Sequence, residues 1–420
     1  MIRRTLLLSL ILLMPVGAMA QSAAPPASAT DRVAVPEPST KALAYHHSGN
    51  LLWVANRAWG LLVPVLFLWT GFSGRMRDWA ARIGRKWFFV VAIYWVIFTL
   101  VSTAIDLPRV YYEGFVRQHA YGLSNQTIGK WASDQTASLG ITLVIGSLVL
   151  WIPYLLLARS PRRWWLYTTM LAIPFIILLQ LITPIWIDPL FNKFGPMKDK
   201  ALETELLQLA DRSGIEGGRV FEVAKSEDTK QLNAYVNGFG ATQRIVLWDT
   251  IIKAMDRPQL LTVMGHEMGH YVLRHVWQLI AVSTLAILVL LYAVYKLSDT
   301  LIGRYSGRFR FTSLADVASL PLILLLVVAV SLVMDPLTLA FARHIEHEAD
   351  RFTLELTHDN HAFGTALVIL QQENLGVPRP GRLYTWFREN HPPLGERIDF
   401  SNDYRPWESG QPLVYADRFK

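Results

Sequence analysis

Six stretches of this chain are apolar for long enough to cross a bilayer: residues 51–71, 87–105, 139–158, 164–187, 276–295 and 314–340. A span needs about 20 mostly apolar residues. Inside lipid the backbone can satisfy its own hydrogen bonds only as a helix or a closed barrel, and runs of this length read as helices. The expected fold class is therefore mainly α, a polytopic α-helical membrane protein with about six spans after a signal-like segment. Composition agrees: 52% of the 420 residues are hydrophobic, 17% are charged, and 15 are Trp. The polar segments, mainly 188–262 and 341–420, amount together to one modest domain.

Residues 1–20 have a basic start (MIRR), a short apolar core and A-M-A before Gln21, the pattern of a signal peptide or signal anchor. Residues 21–50, which open with many Ala, Pro and Ser, read as a flexible tether. Either form of the first segment leaves residue 21 outside the cytoplasm. Alternate threading then puts three basic loops inside, as positive-inside topology requires. These loops hold Arg75, Arg77, Arg82, Arg85 and Lys86; Arg159, Arg162 and Arg163; and Lys296, Arg304, Arg308 and Arg310. The same threading puts 188–275 and 341–420 outside. The net charge of +7 is thus largely a topology signal, and no stripe of basic and aromatic residues points to nucleic acid. Cysteine is absent, which excludes disulfides and thiolate chemistry.

The chemistry is concentrated in HEMGH, residues 266–270. His266 and His270 are four apart, so a helix projects both from one face, where two imidazoles can grip one Zn²⁺. Glu267, beside them, is placed to take a proton from the attacking water. Asp256 just ahead of Pro258 marks a helix start. Gly265 and Gly269 permit close approach of another backbone or a substrate. A catalytic zinc needs a third protein ligand and an open position. The segment ARHIEHEADRF (342–352) offers Glu346 and Asp350, again four apart. One carboxylate can ligate while the other orients a ligand imidazole. His275, His344, His347, His358 and His361 read as surface or supporting histidines.

RVFEV (219–223) and the run from Asn233 to Leu247 carry a hairpin signal, with N-G and F-G between the β-rich runs. An edge strand there can hold an extended peptide through its backbone. His391, ahead of Pro392 and Pro393, sits on a stiff turn and can donate to an oxyanion. Arg397 can pair with an acidic group or with the substrate backbone.

Together these segments resemble the type I CAAX prenyl proteases, integral-membrane zinc metallopeptidases of the gluzincin group. HEMGH is similar to their zinc motif. ARHIEHEADRF resembles their E-x-x-x-D segment, in which the first Glu is the third ligand, here Glu346. NAYVNGFG (233–240) with RIVLWDTI (244–251) resembles the hairpin lining their cleft, and ENHPPLGERI (389–398) their H-P-P-x-x-E-R element. DLPRVYYEGFVRQHAYGLSNQT (106–127) and ITPIWIDPLFNKFGPM (182–197) match in kind. The resemblance implies a small zincin-like α+β catalytic domain and helices enclosing a water-filled chamber. It implies one Zn²⁺ per chain on His266, His270 and Glu346, with Asp350 behind them, catalysis by Glu267 and His391, and substrate contacts from Asn233, Ala234, Tyr235 and Arg397.

Two features depart from the family. A signal-like segment replaces its first helix, and the catalytic segments thread to the outside, whereas the eukaryotic members face the cytosol. The expected arrangement has an N-terminal membrane domain (51–187, four spans) and a metallopeptidase domain (188–420, two further spans). It would sit in a bacterial inner membrane with its catalytic domain on the periplasmic side. The partners are a peptide or protein substrate and the lipid bilayer. The alternative is a membrane transporter or scaffold whose zinc is structural; such a site would be closed by a fourth protein ligand and would have no use for Glu267.

Overall fold

The computed structural model describes residues 32–215, 218–238 and 244–420. The signal-like segment 1–20 and residues 21–31 lie outside the described residues, as do 216–217 and 239–243. Among the described residues six helical rods are long and apolar enough to cross a membrane, one for each expected span. The first is α1 (Thr40–Trp69), joined by the short helix α2 (Phe72–Gly84) to the second. That rod is α3 (Trp87–Tyr111), running through a π-helical turn into α4 (Arg117–Ala120). α5 (Ile128–Val149) and α6 (Trp151–Arg159) stack into the third. α7 (Trp164–Ile182) continues through a second π-helical turn into α8 (Asp188–Phe191).

Between 6% and 39% of each rod's most apolar window is buried, so these apolar faces point mostly outward. A water-soluble protein could not tolerate that much exposed apolar surface; lipid is its natural solvent. α2 packs against α3 and α1 and buries Met76 and Ala80 in one cluster with Tyr94 and Tyr154. There Ser73 Oγ lies 2.7 Å from the Tyr94 hydroxyl.

The rods overrun the apolar runs that predict them. Hydropathy marks only the lipid-contacting part of a helix, and intrahelical hydrogen bonding carries on wherever tertiary partners cover the next turns. Most of the expected loop 106–138 is therefore helical. The expected tether 21–50 is also corrected from residue 32 onward. Ser39 caps α1, accepting from the Ala42 amide at 3.1 Å, so residues 40–50 are helix. Ahead of it, Val33 exchanges backbone hydrogen bonds of 2.8 and 2.9 Å with the Asn402 side chain. A Cβ on Gly364 would come within 2.9 Å of Val33, so only glycine leaves that strap its seat.

The polar segments build a four-stranded sheet, β1 (Phe194–Pro196), β2 (Val220–Val223), β3 (Ala234–Asn237) and β4 (Arg244–Trp248), in the order β1-β2-β4-β3. The hairpin is β3–β4 alone. Val220–Val223, grouped with it from the sequence, instead runs parallel to β4. β3 is left at the edge. Helices α9 (Lys200–Arg212), α10 (Asp249–Ala254) and α11 (Arg257–Val272) follow in chain order around this sheet. Leu206, Ile245, Leu247, Ile251, Met264 and Phe352 form its buried core. α12 (His275–Phe309) and α13 (Leu320–Thr357) are the last two rods. At 1.5 Å per residue, the 38 residues of α13 extend about 57 Å, well beyond a hydrocarbon core of about 30 Å. Its surplus end re-enters the sheet domain. α14 (Asn360–Glu373), α15 (Arg382–Arg388) and α16 (Leu394–Asp403) close the fold.

Candidate metal centre

α11 starts where its sequence says it should. Asp256 accepts from the Gln259 amide and Gln259 Oε1 from the Asp256 amide, both at 3.0 Å, with Pro258 in the first turn. This reciprocal cap satisfies two otherwise unpaired donors. The two glycines of α11 serve α13 rather than a substrate: a Cβ on Gly265 would lie 3.1 Å from Thr353, and one on Gly269 would lie 3.1 Å from Phe352. Close packing at these points brings HEMGH against the overhanging turns that carry Glu346 and Asp350.

His266 Nε2 lies 3.1 Å from Glu346 Oε2 and 3.2 Å from His270 Nε2, and His270 Nε2 lies 3.5 Å from Glu346 Oε1. Among the described residues these three form a group whose ligand atoms all fall within 4.8 Å of one another. Two ligand atoms each about 2.1 Å from a tetrahedral Zn²⁺ stand about 3.4 Å apart, so the observed spacings suit that ion. The outer nitrogens are held too. Asp350 Oδ1 is 2.9 Å from His266 Nδ1, which turns Nε2 inward. Burial disfavours a charged imidazole, yet hydrogen bonds that its N–H groups donate to Asp350 and Glu346 outweigh it and raise the His266 pKa to about 10. The cluster is an electrostatic well for a cation. Burial also pushes the Glu267 carboxyl up, while His266 and His270 oppose the rise.

His391 reaches in from the turn before α16, its Nε2 3.1 Å from Glu346 Oε2 and its Nδ1 2.9 Å from Asn390 Oδ1. Glu267, His266, His391, Asn233 and Ala234 line one cavity of about 120 Å³. Tyr235 does not; its charged neighbours are Asp188 and Arg244, because alternate strand residues point to opposite faces. Arg397 borders the cavity and grips Asp350 through two bonds, the acidic partner that its sequence offered beside the substrate backbone. Larger cavities flank the edge strand. One of about 540 Å³ meets Asn233 and His391, and one of about 610 Å³ meets Val236, Asn237 and His270. His275, one of the histidines read as surface or supporting, is 1% exposed and lies against His270.

A six-rod membrane bundle carrying a buried His-His-Glu centre, with a carboxylate beside it and a free strand edge in front, defines an integral-membrane metallopeptidase. Residues 196–403 match the model of peptidase family M48, and residues 8–193 match that of the CAAX prenyl protease N-terminal region, five membrane helices. The chain belongs to peptidase family M48, in its CAAX prenyl protease-like branch. It is 36% identical to the uncharacterized metalloprotease YhfN of Bacillus subtilis (strain 168), over 86% of this chain and 85% of that protein. It is 29% identical to CAAX prenyl protease 1 of Saccharomyces cerevisiae, over 71% and 69% of the two chains. The crystal structure of S. mikatae Ste24p superposes with a TM-score of 0.75 at 25% identity, covering 86% of this chain and 87% of that one.

Proposed function

We propose that this protein is a zinc endopeptidase of a bacterial inner membrane that cleaves membrane-associated or exported proteins and peptides on the periplasmic side. The observation that carries this reading is the shared cavity. Glu267, the inward side of His266, His391 and the start of edge strand β3 all border the same space.

His266, His270 and Glu346 would hold the ion, and their mixed N,N,O set is the catalytic rather than the structural type. Bound there, zinc supplies Lewis-acid polarisation of the scissile carbonyl and makes an attacking water more acidic. The remaining steps belong to the chain. β3 holds an extended substrate by backbone hydrogen bonds, which are indifferent to side-chain identity. The cavities at its two ends receive substrate residues on both sides of the scissile bond, as endopeptidase cleavage requires. Glu267 accepts the proton of the attacking water and delivers it to the leaving amine; its raised pKa suits a group that must do both. His391 stands at the cavity wall, where its Nε2–H tautomer donates to the oxyanion as it forms.

The domain boundaries we assign are 51–187 for the N-terminal membrane domain and 188–420 for the peptidase. A signal or signal anchor at 1–20 and inward-facing basic loops support the periplasmic placement.

The test is Glu267→Gln. The variant keeps the ion because it removes no ligand, and it cleaves nothing, because an amide cannot accept the proton. Envelope proteins that accumulate with the variant and not with wild type are the substrates. Near-normal turnover by Glu267→Gln would refute the mechanism and favour a structural zinc.

A further inference from the structure

We propose that His275 is a positioning residue for the metal centre: its imidazole holds the outer nitrogen of His270, with Glu348 behind it. The inference rests on His270 being a ligand through Nε2, as proposed above.

His270 turns Nε2 toward His266 and Glu346, which leaves Nδ1 as its outer nitrogen. That atom lies 2.9 Å from His275 Nδ1. His275 is 1% exposed, and its Nε2 lies 3.5 Å from Glu348 Oε2. A ligand imidazole bound through Nε2 carries its proton on Nδ1 and must donate it. His275 can accept only if its own proton is on Nε2, and Glu348 favours that tautomer. The result is a directed chain in which His270 donates to His275 and His275 faces Glu348. It parallels the other ligand, whose outer nitrogen meets Asp350 with Arg397 behind it. Each zinc imidazole thus has a buried group fixing its ring and tautomer. His275 stands across the His270 ring from the ion's position, so it does not ligate.

A break in the chain makes this possible. At 100° per residue, five residues along a continuous helix would carry His275 about 140° away from the His270 face. α11 instead stops at Val272, and Arg274 takes a left-handed conformation, φ 58° and ψ 34°. That conformation strains a residue that carries a Cβ. α12 then starts at His275 itself and swings the ring back to His270. The strained residue therefore sits at the one point where the backbone must turn to bring the two rings together.

The experiment uses the full-length protein in detergent, stripped of metal, with Zn²⁺ titrated against a fluorescent chelator. His275→Phe fills the space without an acceptor, and its zinc affinity should fall about 10- to 100-fold. His275→Asn puts Oδ1 on the branch that Nδ1 occupies and should restore most of the affinity, which a packing role would not require. Unfolding temperatures of the apo proteins show whether each variant folds. If His275→Phe does not, Glu348→Leu takes its place, with a smaller fall expected. Wild-type affinity in His275→Phe, or in Glu348→Leu where it substitutes, overturns the proposal, as does an Asn variant as weak as Phe. Failure of the underlying reading looks different: wild type itself binds no Zn²⁺, or His270→Ala binds it as well as wild type.

Discussion

Arg397 grips Asp350 with both arms of its guanidinium, Nε 2.8 Å from Oδ2 and Nη2 2.6 Å from Oδ1, at a point where both side chains are buried. The pair ties α16 to α13, and Asp350 then presents Oδ1 to His266. Removing the arginine would leave a buried carboxylate with only an imidazole for company. Arg397→Ala should cost about 3–5 kcal/mol, read as a large fall in the thermal midpoint of the apo protein. Arg397→Lys, which keeps the charge but loses the fork, should fall in between. An Ala variant as stable as wild type would mean the pair contributes little.

Metal analysis should find one Zn²⁺ per chain, lost in His266→Ala, His270→Ala and Glu346→Ala. Asp350→Ala should retain the site with affinity lowered about 10- to 100-fold, since it touches a ligand rather than the ion. Unchanged zinc in Glu346→Ala would move the third ligand elsewhere.

Glu389 supplies a pH test away from the metal. Burial raises its carboxyl to about 7, against an opposing pull from Arg343. The sign follows from linkage. Between about pH 4.5 and 7 the unfolded chain ionises this group while the folded chain keeps it protonated, so folding loses stability as pH rises and levels off above 7. Glu389→Gln should remove that penalty, raising the thermal midpoint at pH 8 by an amount worth about 1–3 kcal/mol and leaving it unchanged near pH 4. Equal midpoints at both pH values would show that the carboxyl is hydrated.

Sidedness can be read with single cysteines, because the chain has none of its own. Gly307, at the basic end of α12, and Ser409, beyond α16, are both exposed, and a Cβ on Gly307 meets open space. On intact spheroplasts a membrane-impermeant thiol reagent should label Ser409→Cys and spare Gly307→Cys. The reverse pattern would place the catalytic domain in the cytoplasm.

What the sequence determined by itself was local. Apolar runs about 20 residues long have one way to satisfy a backbone in lipid, so the spans were legible from 51–71 through 314–340. The His266–His270 and Glu346–Asp350 spacings needed only a helix to align each pair. Tertiary structure decided everything that depended on where these local pieces meet. It joined the two pairs by packing Gly265 and Gly269 against α13. It chose Asp350 from the two partners open to Arg397, since a buried carboxylate takes the nearest fork of donors. It straightened residues 32–50 into a docked strap and helix, because Asn402 offered Val33 both halves of a backbone pairing. It also brought His275 to His270 through the backbone of Arg274. No periodicity announces that contact, because a helix break resets the phase on which sequence patterns rely.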